Sequence, residues 1–135
     1  MASSGTIVAG AVVVIALGAG FSMAMNQLEA RQRLEARVRV LTGGNPDDGR
    51  LAIASRPCGS CHQIPGVTGA QGKVGPSLQR FAGRIYIGGR KANTPDNLIA
   101  WIKDPHSIDP QNVMPPMGIP DREARNIAAY LYTLR

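Results

Sequence analysis

Aromatic side chains are scarce in this 135-residue chain: two phenylalanines, three tyrosines and one tryptophan. Leucine, isoleucine, valine and alanine must therefore fill any core. Cysteine is scarcer still, and two of them exclude a four-thiolate iron–sulfur or zinc site and a framework of several disulfides. Charged residues are only 18% of the chain, which beside 44% hydrophobic content argues against disorder. The length suits one compact domain and little more, so collagen-like, coiled-coil and multidomain readings fall away. Glycine (16) and proline (10) are plentiful, more than a plain helical bundle carries, and they predict prominent loops. The formal net charge is +6. Its basic residues are scattered and not interleaved with stacking aromatics, so no nucleic acid is expected as partner.

The apolar residues are concentrated. Ile7 to Met25 carries neither a charge nor a proline. As a helix rising ~1.5 Å per residue it spans about 28 Å, close to the hydrocarbon thickness of a bilayer. The rival reading is a cleaved secretory signal, with Ser22-Met23-Ala24 as the cleavage site. Against it, no Lys or Arg precedes the run, and the run is longer than a usual signal core. Residues 1–25 are therefore expected to be a retained transmembrane anchor.

Residues 26–45 read as a connector. Leu34, Val38 and Leu41 recur at helical spacing among Glu and Arg, so the helix should continue past the bilayer as an amphipathic turn or two. Gly43-Gly44-Asn45-Pro46 then breaks it. Residues 46–135 form the remaining domain, with eleven basic against seven acidic residues.

Its chemistry lies in Cys58-Gly59-Ser60-Cys61-His62. Two cysteines three apart, followed at once by histidine, suit covalent haem attachment. One helical turn presents both sulfurs along one edge of the porphyrin, each thiol adds across a vinyl group, and the next residue supplies an imidazole to iron. A zinc site would need two further ligands, and the only other histidine is His106. A thioredoxin-type dithiol needs strands alternating with helices, yet nothing before Pro57 reads as a buried strand. A structural disulfide would explain neither the histidine nor the methionine-bearing segment later in the chain. The second axial ligand of an electron carrier is usually a methionine thioether. Met114-Pro115-Pro116-Met117-Gly118 offers one on a proline-stiffened loop, where ordering costs little; methionines more often fill cores.

Taken together, these features resemble the class I cytochrome c family, the small monohaem electron carriers. The resemblance runs from Asp47 to Arg135. It rests on a helix carrying Gly49, the haem-binding pentapeptide, Gly75-Pro76-Ser77-Leu78, a helix ending at Asp104-Pro105, the Met114 loop, and a last helix with Ala128-Ala129-Tyr130-Leu131. The family's methionine ligand follows the helix-ending proline by nine residues and precedes a glycine by four. Met114 keeps both spacings and Met117 neither, so the resemblance implies His62 and Met114 as iron ligands. It implies that Pro76 accepts a hydrogen bond through its carbonyl from the proximal imidazole, and that Trp101 packs beside the haem on the methionine side. Gly49 and Tyr130 match the partners where first and last helices cross. Ile53 stands near that crossing where an aromatic residue is common. Residues 81–93 do not align cleanly; there Tyr86, Arg84, Arg90 and Asn93 are candidate propionate partners by chemistry alone.

The helix signals agree without the family. Asp47 or Asp48 should cap a helix over residues 48–56. Thr94-Pro95-Asp96 should start one running to Lys103, and a third should run from Pro120-Asp121 to the end, with Ala124, Ile127, Leu131 and Leu134 on one face. No segment alternates as a strand. The expected fold class is all-α, a class I cytochrome c fold around one haem, preceded by a single N-terminal transmembrane helix.

Iron ligated on both faces leaves no position for a small-molecule substrate, so the expectation is a one-electron carrier and not an enzyme in itself. Its partners would be the membrane and redox proteins such as a quinol-oxidising complex, a dehydrogenase or a terminal oxidase. The alternatives are a membrane-tethered thiol–disulfide oxidoreductase using Cys58 and Cys61, and a haem sensor or peroxidase from which Met114 dissociates. Four arginines follow the anchor and none precede it, which by the positive-inside rule would put the domain in the cytoplasm. Covalent haem attachment occurs on the outer face of the bacterial inner membrane, as the family implies, so the periplasmic side is expected.

Overall fold

The computed structural model describes residues 4–135. Helix α1 (Ser4–Thr42) is one unbroken helix of 39 residues. The chain divides into two compact units, Met1–Leu34 and Glu35–Arg135. In the first, α1 is long and apolar enough to cross a membrane, and large apolar side chains such as Val14, Ile15, Leu17 and Phe21 are exposed along it.

In the second unit α1 ends where the glycines predict. Gly43 takes a left-handed φ of 68°, which closes the helix at Thr42. The buried face of this last stretch differs from the expected one. Val38 and Thr42 are buried, whereas Leu41 is 49% exposed. The Thr42 hydroxyl donates to the Val38 carbonyl at 2.8 Å and accepts from the Gly44 N–H, so this threonine is buried with its polar group satisfied.

Helix α2 (Pro46–Ser55) begins two residues earlier than expected. Asn45, not Asp47 or Asp48, is the N-cap: its side chain accepts from the Asp47 N–H at 3.0 Å, and Pro46 occupies the first helical position, where no N–H is needed. One turn, α3 (Cys58–Cys61), comes next. A short antiparallel pair, β1 (Tyr86–Ile87) and β2 (Lys91–Ala92), was not expected; Gly88 and Gly89, both with positive φ, make the tight turn that two-residue strands need. Helix α4 (Pro95–Lys103) starts at the Thr94-Pro95 signal, with the Thr94 hydroxyl accepting from Asn97. Helix α5 (Asp121–Thr133) starts after Pro120 without a side-chain cap.

Helices α2 and α5 make the closest packing in this unit, with α4 against α5 next. A Cβ at Gly49 would strike the Asn126 carbonyl, so the two backbones touch where only hydrogen fits. Arg56 and Glu123 pair across the same helices, Nη2 to Oε2 at 2.9 Å. The Arg56 hydrogen bond holds the Glu123 carboxyl below its usual range, with burial opposing. The core gathers Ile53, Leu98, Trp101, Ile102, Ala124, Ile127, Ala128 and Leu131. It is mostly aliphatic, as the shortage of aromatics requires; most of it comes from helices, with Ile64, Val67, Ala70 and Ile119 added from loops and Ile87 from the small β pair.

Candidate functional site

The α3 turn sets the cysteines and histidine. The His62 N–H donates to the Cys58 carbonyl at 2.9 Å and ends the turn, and His62 itself is extended. The chain then folds back beside the turn. Gly72 donates to the Gly59 carbonyl at 3.0 Å, Gly75 to Cys61 at 2.8 Å and Leu78 to Gln63 at 2.8 Å. Glycine is required at three positions in these approaches, and a Cβ on Gly72 would strike the Ser60 carbonyl oxygen. A Cβ on Gly59 would lie 2.9 Å from Ala70, and one on Gly75 would fall within 3.0 Å of three His62 ring atoms. The imidazole therefore lies in a cradle that any larger residue at position 75 would fill.

His62 Nδ1 lies 2.8 Å from the Pro76 carbonyl oxygen. A carbonyl only accepts, so the proton sits on Nδ1 and the Nε2 lone pair is left for a metal. The two cysteines are half-buried. Burial pushes the Cys58 thiol up, opposed more weakly by Arg56. A dithiol oxidoreductase needs its attacking thiol pulled down, so the burial of Cys58 runs against that alternative.

Met114 is half-buried and packs against the core, as do Met117 and Cys58. Burial therefore does not choose between the methionines. Trp101 is buried on α4, and its indole closes on Gly88, where a Cβ would collide with the ring. Tyr86 is 61% exposed on β1. Arg90 pairs with Asp109 at 3.3 Å, which joins the β turn to the segment before Met114. Arg84 donates to the Ser77 carbonyl and lies 5.3 Å over the Phe81 ring. Asn93 donates to the Phe81 and Arg84 carbonyls and accepts from the Tyr132 hydroxyl, so its side chain closes the loop. Tyr130 donates to the Pro65 carbonyl at 2.5 Å and anchors the segment after His62 onto α5.

Sequence reasoning missed the residues that hold the methionine loop. His106 Nε2 donates to the Asn112 carbonyl at 2.8 Å, and the Asn112 side chain accepts from the Met114 N–H at 2.8 Å. An asparagine two residues before the methionine was the available signal.

The donor set fits a covalently bound haem: two thiols on one helical turn, an imidazole in the required tautomer, and a thioether on a second loop. Comparison with known proteins agrees. Residues 44–131 match the family described as cytochrome C oxidase, cbb3-type, subunit III. The chain is 33% identical over 102 residues to cytochrome c oxidase subunit 2 of Alkalihalophilus pseudofirmus, covering 76% of this chain and 28% of that protein. It is 35% identical over 68 residues to cytochrome c oxidase subunit 2 of Bacillus subtilis, covering 49% of this chain and 19% of that one. It thus spans under a third of the relatives it matches. The chain belongs to the cytochrome c oxidase, cbb3-type, subunit III family, and its matched region is a monohaem cytochrome c domain, an electron-transfer unit of the kind that carries covalently attached haem c.

Proposed function

We propose that this chain is a membrane-anchored monohaem cytochrome c that passes single electrons between respiratory-chain components, as a carrier or as the haem subunit of an oxidase complex. The observation that carries the reading is the His62–Pro76 hydrogen bond beside Cys58 and Cys61, within the region that matches the family.

Haem, when bound, supplies a one-electron couple between ferric and ferrous iron. Cys58 and Cys61 would hold it through thioether bonds, each S–H adding across one vinyl group. His62 would ligate iron through Nε2, and the Pro76 carbonyl fixes its tautomer and strengthens it as a donor. Met114 would supply the second donor, a thioether that favours the ferrous form and so raises the potential. With both donors taken up, oxygen, peroxide and small substrates would find no open position. Trp101 and the aliphatic core around it keep water away. Tyr86 and Arg90 are the proposed propionate partners, since each presents a polar group at the surface.

Helix α1 confines the domain to the membrane plane and raises its effective concentration near redox partners. The domain stands on the periplasmic side, where covalent attachment takes place. Relatives of this chain are named as terminal oxidase subunits, which supports an oxidase or its electron donor as partner.

The test is made on the full chain in detergent. Haem should stay with the polypeptide through denaturing, reducing electrophoresis, and the reduced protein should not bind carbon monoxide. Haem that washes out would revive the dithiol reading. Ready carbon monoxide binding would replace the carrier with a sensor or peroxidase.

A further inference from the structure

Between α4 and α5 the chain runs through the segment that carries Met114. Its first part is well tied by backbone bonds: Asp109 donates to the Pro105 carbonyl at 2.9 Å and Asn112 to Asp109 at 2.9 Å. Beyond Asn112 the support changes. Among the described residues, 113–119 make no backbone–backbone hydrogen bond, and Pro115 and Pro116 have no N–H to offer. The position of Met114 therefore depends on its N–H bond to Asn112 Oδ1 and on side-chain packing.

Asn112 is held in turn by His106. The Asp104 side chain accepts from the His106 N–H at 3.1 Å, which seats the residue on a short 3₁₀ turn (Pro105–Ser107) at the end of α4. From there the half-buried ring reaches across the loop, and Nε2 donates to the Asn112 carbonyl at 2.8 Å. The two bonds converge on one residue, His106 on its carbonyl and Met114 on its side chain.

We propose that His106 is a positioning residue for the sixth ligand, latching the Met114 loop to the end of α4 through Asn112. The proposal rests on Met114 as the ligand. A latch of this kind leaves the resting fold almost unchanged when removed, and it shows itself when the methionine must compete for iron. Losing one net hydrogen bond should favour the open loop about fivefold.

The experiment uses the full-length ferric holoprotein in detergent. Added imidazole displaces the methionine, and loss of the near-infrared sulfur-to-iron band reports it. His106→Ala should bind imidazole about fivefold more tightly than the wild type. His106→Gln, whose amide nitrogen can stand where Nε2 does, should recover most of the difference. Asp47→Asn, which weakens an exposed ion pair to Arg39 at the start of α2 and outside this loop, should leave imidazole binding unchanged even where it lowers the melting temperature. Should His106→Ala fail to accumulate with haem, Asn112→Ala carries the same expectation. Wild-type imidazole affinity in whichever of the two is measured overturns the latch. Met114→Ala separates the two levels: if it retains the band, the ligand reading itself fails, whereas a lost band beside an unaltered His106→Ala affinity refutes positioning alone.

Discussion

Gly49 rests against the backbone carbonyl of Asn126, and a methyl group at position 49 would overlap it. This contact sets the separation of α2 and α5, and the helices cannot part locally because Arg56–Glu123 and Asn45–Asn126 tie them on either side. Gly49→Ala should therefore cost about 2–3 kcal/mol despite alanine's better helix propensity. Thermal unfolding should show a midpoint lower by on the order of 10 °C. A neutral or stabilised variant would mean that the helices re-dock freely.

The last turns of α1 belong to the second unit. Val38 and Thr42 are buried, and Arg125 donates to the Thr42 carbonyl at 3.2 Å. A chain beginning at Glu35, exported behind a cleavable signal, should fold as a haem protein with its spectrum intact. One beginning at Asn45 should be less stable by about 2 kcal/mol, from the lost burial of Val38 alone. Denaturant titration of the two measures the difference, and equal midpoints would show that residues 35–44 contribute nothing.

Met114 and Met117 both pack against the core, so stability alone will not tell them apart. Met114→Ala should abolish the near-infrared band, lower the reduction potential and admit carbon monoxide. Met117→Ala should keep the band and cost about 1–3 kcal/mol of packing. The reverse pattern would move the ligand to Met117.

Tyr132 donates to Asn93 Oδ1 at 2.9 Å and meets Phe81 edge-on at 6.2 Å. Burial pushes its hydroxyl up to about 12, above the usual value near 10. The folded state thus holds this proton more tightly than the unfolded chain. Its contribution to stability is complete below about pH 10 and is lost as pH rises through about 12. Tyr130 is shifted in the same direction by burial. Tyr132→Phe should cost about 1 kcal/mol at neutral pH, for the hydrogen bond, and should flatten the alkaline decline in part. A decline as steep as the wild type's would place its origin elsewhere.

Much of this protein is written in local chemistry. The attachment turn, the break at Gly43-Gly44, the Thr94-Pro95 helix start and the apolar face of α5 each depend on residues within a turn or two, where caps and i to i+4 bonds act. Neighbouring residues alone therefore determined them. The start of α2 lies before the expected one for a local reason too, since Asn45 competes with Asp47 for the cap and Pro46 settles it at the first helical position.

Only the tertiary structure decided what distant segments do to one another. That Thr42 rather than Leu41 faces inward depends on α5, more than eighty residues away. Gly49 looks merely permissive until Asn126 arrives. Asn93 and Arg84 resemble free polar groups in the sequence, but the folded chain spends them on its own carbonyls. His106 reads as a spare histidine until its ring meets Asn112. Such assignments need long-range packing because a polar side chain takes the partner that desolvation leaves within reach, and which partner that is depends on how the helices close.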